Sequence, residues 1–140
     1  MAKILCATRG GTASYRAQDA ASRLAKERGD ELLFLYVVNI EFLDKTARAV
    51  RPDVVETEMA KLGEFLLEMA RERATGQGVR ADVILRHGVL PEELAAVARE
   101  HQIDSIVLGK PVEGSVYSIE ELEAFAADIE AKTGAQVLIL

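Results

Sequence analysis

Thr8-Arg9-Gly10-Gly11, near one end of the chain, and Gly109-Lys110 with Gly114-Ser115, toward the other, are the residues whose types and spacing could do chemistry. Glycines let backbone N–H groups approach a bound oxyanion, while a guanidinium and an ammonium supply charge. Such a set could hold a phosphate, a sulfate or another anionic metabolite. The plainer alternative is that Gly10-Gly11 only makes a tight turn, with Arg9 and Lys110 solvated or paired with Glu41 or Glu113. From Lys3 to Gly11 an apolar run stops at a Gly-Gly turn and leads into an Ala-rich stretch. That pattern reads as strand, turn, helix, the opening of a nucleotide-binding α/β domain. Arg9 stands where such a site would welcome an acidic or small residue.

Other chemistries find less support. Gly109-Lys110 is not a P-loop: Asp104 occupies the place of the first glycine, and Pro111 replaces the Ser or Thr. Gly114-Ser115 lacks the glycine pattern of a nucleophile elbow. His87 and His101 stand alone, with no second His or Cys at ligand spacing, so no metal site is expected. A solvated or backbone-bonded role suits His87, which follows the third strand. Cys6 is the only cysteine and sits in an apolar strand, where a buried, inert thiol is expected.

The elements that must position these residues alternate along the chain. Ile4–Thr8 is the first strand. Ala13 to Arg28 is a helix with Ala17, Ala20, Ala21, Leu24 and Ala25 on one face. Glu31–Val38 is a second strand whose apolar run does not alternate, as expected for a strand buried on both faces of a parallel sheet. Asn39 to Pro52 is a connection without a period. A helix begins near Asp53, with Val55, Met59, Leu62, Leu66 and Met69 as its expected buried stripe, and ends at Gly76 and Gly78. Ala81–Leu85 is a third strand, and Asp82 suggests an edge position. Pro91, Glu92 and Glu93 open the next helix, with Leu94, Val97 and Ala98 facing inward. Ser105–Leu108 is a fourth strand. Ser118 and Glu121 form a capping box for a last helix expected to bury Ile119, Leu122, Phe125, Ala126 and Ile129, and Gly134 ends it. Gln136–Leu140 is the final strand. Right-handed crossovers then place four helices on the two faces of a five-stranded parallel sheet.

At 140 residues, 49% apolar and 29% charged, the chain is expected to form one domain over residues 1–140 with a substantial core. A net charge of −6 without a basic stripe argues against nucleic acid. No apolar signal segment precedes the first strand, and the longest apolar run, Leu32–Val38, is too short to span a bilayer. A cytoplasmic protein without a membrane partner is expected.

The ordered set of motifs resembles the universal stress protein family over nearly the full length. Ile4–Gly11 resembles the family's opening strand and turn, which usually ends Asp-Gly-Ser, and Leu35-Tyr36-Val37-Val38 resembles its Leu-His-Val-Val strand. His87–Leu94 resembles its Gly-x-Pro turn and helix with the proline displaced, and Ile103–Gly109 resembles Ala-Asp-Leu-Ile-Val-Met-Gly. Gln136–Leu140 resembles the closing Pro-Val-Leu-Val-Val. The resemblance implies a doubly wound, Rossmann-like sheet of order 3-2-1-4-5, of the adenine nucleotide alpha hydrolase-like type. In that order Thr8, Arg9, Gly10, Gly11, Gly109, Lys110, Gly114 and Ser115 collect beyond the carboxyl ends of the first and fourth strands, where ligands of such sheets bind.

The family's ATP-binding branch carries Gly-x2-Gly-x9-Gly-Ser/Thr after the fourth strand. Started at Gly109, that pattern meets Val112, Leu122 and Glu123, so three of its four positions fail. A side chain there blocks the approach of backbone to phosphate, and Glu123 would repel a triphosphate. No cofactor is therefore expected. The resemblance implies a non-catalytic, stress-associated regulatory or interaction domain with an unidentified protein partner. In many relatives the last strands pair across a two-fold axis, which implies a homodimer through Gln136, Val137, Leu138, Ile139 and Leu140. Two rival readings remain. One is a module that takes ATP or another adenine nucleotide through backbone near Val38 and Gly109. The other is an enzyme of the wider superfamily, which would need a base or metal ligand that the sequence does not offer.

Overall fold

The computed structural model describes residues 2–9, 12–39, 52–112 and 117–140. The described elements run β1 (Lys3–Ala7), α1 (Thr12–Arg28), β2 (Glu31–Asn39), α2 (Pro52–Gly76), β3 (Ala81–Gly88), α3 (Leu90–Glu100), β4 (Ser105–Leu108), α4 (Ile119–Thr133) and β5 (Gln136–Ile139). The strands form one sheet in the order β3-β2-β1-β4-β5. Every neighbouring pair is parallel. The expected doubly wound architecture is thus the observed one. Most of the connection after Asn39 and the centre of the segment after Pro111 lie outside the described residues.

Strand alternation divides the core into two layers. Ile4, Cys6, Leu32, Phe34, Tyr36, Val38 and Val107 face α1 and α2, while Leu5, Leu35, Ile106 and Leu108 face α3 and α4. The unbroken apolar run of β2 follows from this, since both its faces are covered. Alanines 17, 21 and 25 let α1 lie close to the sheet. Across the α1–α2 seam, Arg73 reaches Asp19 at 2.7 Å and lies 4.5 Å above the Tyr15 ring.

Three expectations need correction. Val55, Met59 and Leu66 of the expected α2 stripe pack against the core and Met69 is half-buried, but Leu62 is 51% exposed, and the most buried line of the helix is Gly63, Leu67, Ala70 and Ala74. The buried face of the helix extends one residue, about 100°, past the stripe of larger side chains onto small ones. A Cβ at Gly63 would lie 2.5 Å from Tyr36 Cδ1, so the bulk at this contact comes from the sheet and the helix supplies small residues. Ile119 in the first turn of α4 is 37% exposed, whereas Leu122, Ala126 and Ile129 are buried. The third strand continues past Leu85 to Gly88, and His87 pairs with Val38 inside it. Its polar end is compatible with a strand because β3 is at the sheet edge, where Asp82 is exposed as expected.

The strands differ in reach. The last β1–β2 pair is Ala7 with Leu35, but β2 and β3 stay paired as far as Asn39 with Gly88. A two-stranded ribbon therefore projects beyond the centre of the sheet at its carboxyl end.

Candidate functional site

A cavity of about 280 Å³ lies where β1 stops and the ribbon continues. Thr8 and Arg9 from the end of β1, and Asn39 from the end of β2, give it a polar side. Tyr36 and Val37 of β2, Met59 of α2, Leu90 of α3 and Tyr117 before α4 make the rest of its wall. Larger hollows of about 370 and 480 Å³ lie by the amino ends of the strands, lined by such residues as Lys3, Glu31 and Asp82. The carboxyl end is where an open parallel sheet binds ligands, because its helices and turns present backbone N–H groups there.

Local hydrogen bonds fix the polar side. Thr8 N–H donates to Leu35 O at 2.9 Å, which holds the chain beside β2 after β1 has ended. Gln18 Nε2, inside α1, donates to Thr8 Oγ1 at 2.6 Å, and both residues are 2% exposed. The Thr8 hydroxyl accepts in that bond and keeps its own proton to donate elsewhere. Arg9 N–H donates to Ser14 Oγ at 3.1 Å, tying the turn to the start of α1. The Arg9 side chain is exposed and makes no ion pair among the described residues. On the apolar side, the Tyr117 ring stands edge-on to Phe125, with centroids 5.3 Å apart. The first turn of α3 already carries Glu92 and Glu93 at its positive end, so Arg9 is the better seat for an anion.

Of the residues singled out in the sequence, Thr8 and Arg9 line this cavity. Val38 is wholly buried in the core layer against α1 and α2, and its neighbours Val37 and Asn39 line the cavity instead. Gly109 and Lys110 do not line it. Lys110 N–H donates to Leu140 O at 3.0 Å, and its side chain is exposed. Gly10, Gly11, Gly114 and Ser115 lie outside the described residues, as do Glu41 and Glu113. Sequence reasoning missed Tyr36, Asn39, Leu90 and Tyr117, and read Met59 as core filler. The one signal for Tyr36 and Asn39 was their position at the carboxyl end of a strand.

The other reactive groups stand elsewhere. Cys6 is fully buried, and burial pushes its thiol up to about 12. His87 Nδ1 lies 2.8 Å from Glu56 Oε1, beside a separate hollow of about 530 Å³ that includes Asp53 and Glu64. His87 is exposed, as a solvated histidine would be, and it also meets a carboxylate of α2. Among the described residues no group of three His, Cys, Asp or Glu is placed to hold a metal ion, and no helix is long and apolar enough to cross a membrane.

The pattern of the universal stress protein family matches residues 1–118. The chain belongs to the universal stress protein family. It is 34% identical over 114 residues to universal stress protein YxiE of Bacillus subtilis (strain 168), covering 76% of this chain and 77% of that one. The structure of universal stress protein UspA from Lactobacillus plantarum superposes with a TM-score of 0.79 at 17% identity, covering 99% of this chain and 97% of that one. A universal stress protein in complex with cAMP superposes with a TM-score of 0.69 at 22% identity, covering 99% and 96%. In this universal stress protein the family match ends at Ser118, the residue that caps α4. Of the positions where the ATP-binding branch carries glycine, serine or threonine, Val112 is 59% exposed, and Leu122 is buried within α4 beside an exposed Glu123.

Proposed function

We propose that this universal stress protein is a non-catalytic regulatory domain of the cytoplasm, comprising residues 1–140, that responds to a small ligand with a flat ring and an anionic group. The observation that carries the reading is the cavity at the strand ends, with Arg9, which makes no ion pair among the described residues, on its rim and Tyr36, Leu90 and Tyr117 in its wall. Such a lining receives a planar ring by stacking and apolar contact, and a guanidinium receives a phosphate. At about 280 Å³ the volume stands near the lower end of ligand pockets, which span about 300–1,000 Å³. An adenine nucleoside monophosphate fits that chemistry, and the relative crystallised with cAMP supports the class. Val112, Leu122 and Glu123 oppose a triphosphate held in a glycine cradle. No step of catalysis is assigned, because the cavity wall pairs no nucleophile with a base among the described residues.

Isothermal titration of the nucleotide-stripped protein with AMP, cAMP and Mg-ATP tests the reading. Saturable binding of a monophosphate, weakened by Arg9→Ala, is expected, with ATP no tighter than AMP. Absence of heat from all three, with the protein folded, overturns it and leaves a domain that works through protein contacts alone.

A second reading concerns association. The β5 strand is the sheet edge beyond β4, and Gln136 and Leu140 turn their N–H groups inward to Asp104 O and Leu108 O. By alternation Val137 and Ile139 present theirs outward. We propose a homodimer through Gln136–Leu140. Glu130 Oε1 already accepts from Val137 N–H at 2.9 Å, so pairing exchanges that bond for one across the two-fold axis. Light scattering should give the mass of two chains for the wild type and of one for Ile139→Pro, which deletes an outward N–H only. A dimer that survives Ile139→Pro does not use this edge.

A further inference from the structure

We infer that the β3 edge of the sheet is a self-association surface, on which a second copy of this chain pairs antiparallel about a two-fold axis at Ile84. The contact depends neither on the cavity nor on β5, which lies at the opposite edge. β3 is paired with β2 alone, so one side of its main chain is unmatched among the described strands. It is eight residues long against four for β5, and it contains no proline. A long edge without such protection is a template for another strand. Its sequence, Asp82-Val83-Ile84-Leu85-Arg86, selects which strand. Edge charges ordinarily keep strands apart, but these two have opposite signs and stand two residues either side of Ile84. A strand running the other way therefore sets Asp82 opposite Arg86 of the second copy, and Arg86 opposite its Asp82. On the other face of the sheet Val83 and Leu85 meet Leu85 and Val83, and Ile84 meets itself on the axis. Sliding the register by two residues in either direction loses both charge pairs.

The side chains are in a state to make this contact. Asp82 is exposed and has no ion pair among the described residues. Val83, Ile84 and Leu85 pack on the core yet stay half-buried, so each has apolar surface left to cover. Arg86 pairs with Glu100 of α3. A guanidinium has five N–H donors and can serve that carboxylate and a second one together. The helices allow the approach as well. Gly63 sets α2 over Tyr36 of β2 and Leu85 of β3 at once. With neighbouring strands about 4.8 Å apart, the two α2 helices then lie about 10 Å apart, a distance at which helices pack side by side. One strand pair is small beside the roughly 1,200–2,000 Å² that stable interfaces bury. The contact is accordingly weak: it forms as protein concentration rises and leaves the dilute Ile139→Pro chain monomeric. Where β5 also pairs, β3 joins the resulting dimers edge to edge into longer sheets.

Sedimentation velocity over a rising concentration series tests the contact, in Ile139→Pro chains so that β5 contributes nothing. These chains should pass reversibly from monomer to dimer. Adding Asp82→Arg, or adding Arg86→Asp, puts like charges opposite each other and should raise the dissociation constant about tenfold. An equimolar mixture of the two variants sets opposite charges face to face again and should regain the association of the parent. Asp82 has no partner to lose, so Asp82→Arg should keep the parent's melting temperature and decides the matter alone if Arg86→Asp does not fold. The wild-type chain provides a second readout: its mass should grow with concentration, and Asp82→Arg should abolish that growth. A parent that stays monomeric at every concentration leaves the edge to a foreign strand and overturns the inference. Association unchanged by Asp82→Arg, or not restored in the mixture of two folded variants, overturns it too, since Asp82 and Arg86 would then not face each other.

Discussion

Cys6 shows how a residue's neighbours decide its chemistry. Its place in the centre of β1 removes it from water on every side, and the thiol is pushed from 9.0 to about 12. In the unfolded chain the thiol ionises near 9.0, whereas in the fold it stays neutral until about pH 12. The folded state therefore holds a proton that the unfolded state releases. This contribution to stability is complete below pH 9 and is lost as pH rises toward 12. Burial of Tyr36 acts in the same direction. Denaturant midpoints should fall across that alkaline range, and Cys6→Ala should flatten the fall while costing about 1 kcal/mol at neutral pH. Parallel curves for the two proteins would exclude the thiol as the cause. At this scale the sequence was legible where a residue's own type sufficed, as for Cys6 and for the pairing of Thr8 with Arg9. It was opaque for Tyr36, Leu90 and Tyr117, whose significance comes from convergence of distant segments.

Elements were read well where their signals are local. The α4 helix begins with a reciprocal cap, in which Ser118 Oγ accepts from Glu121 N–H at 3.1 Å and Glu121 Oε1 accepts from Ser118 N–H at 3.2 Å. It ends at Gly134 with φ of 77°, a conformation that glycine adopts without strain. Ser118→Ala should lower stability by about 1 kcal/mol in chemical denaturation. No change would mean that the packing of Leu122 and Ile129 alone holds the first turn. On α2 only Leu62 was misplaced, because the most buried line of the helix includes the small residues Gly63, Ala70 and Ala74. Hydrophobic pattern weighs side chains by size, whereas close packing on a sheet already crowded by Tyr36 and Leu85 selects for their absence. Gly63→Ala is expected to destabilise by about 1–3 kcal/mol through overpacking, even after the gain in helix propensity.

For the molecule as a whole, the strand order follows from alternation and crossover handedness together with the family resemblance, so the architecture was available before any coordinate. The candidate cavity was not, since it depends on how far each strand runs. The centre of the sheet is its most protected part: β1 is paired on both sides, with Ile4, Leu5 and Cys6 fully buried. Hydrogen exchange should therefore find the Leu5 and Cys6 amides opening only with global unfolding, while the Ile139 amide exchanges sooner in a monomer. Equal protection of β1 and β5 in a monomer would contradict this ranking.

The unequal strand lengths have a mechanical consequence. From Tyr36 to Asn39 the β2 strand has left β1 behind and is paired with β3 alone. It is a cantilever, anchored where Thr8 N–H meets Leu35 O and pressed from one side by α2. Bending of such a beam grows toward its tip. On the proposed ligand reading, Asn39 adapts to ligands of different girth, while Tyr36, at the root, keeps its place in the wall.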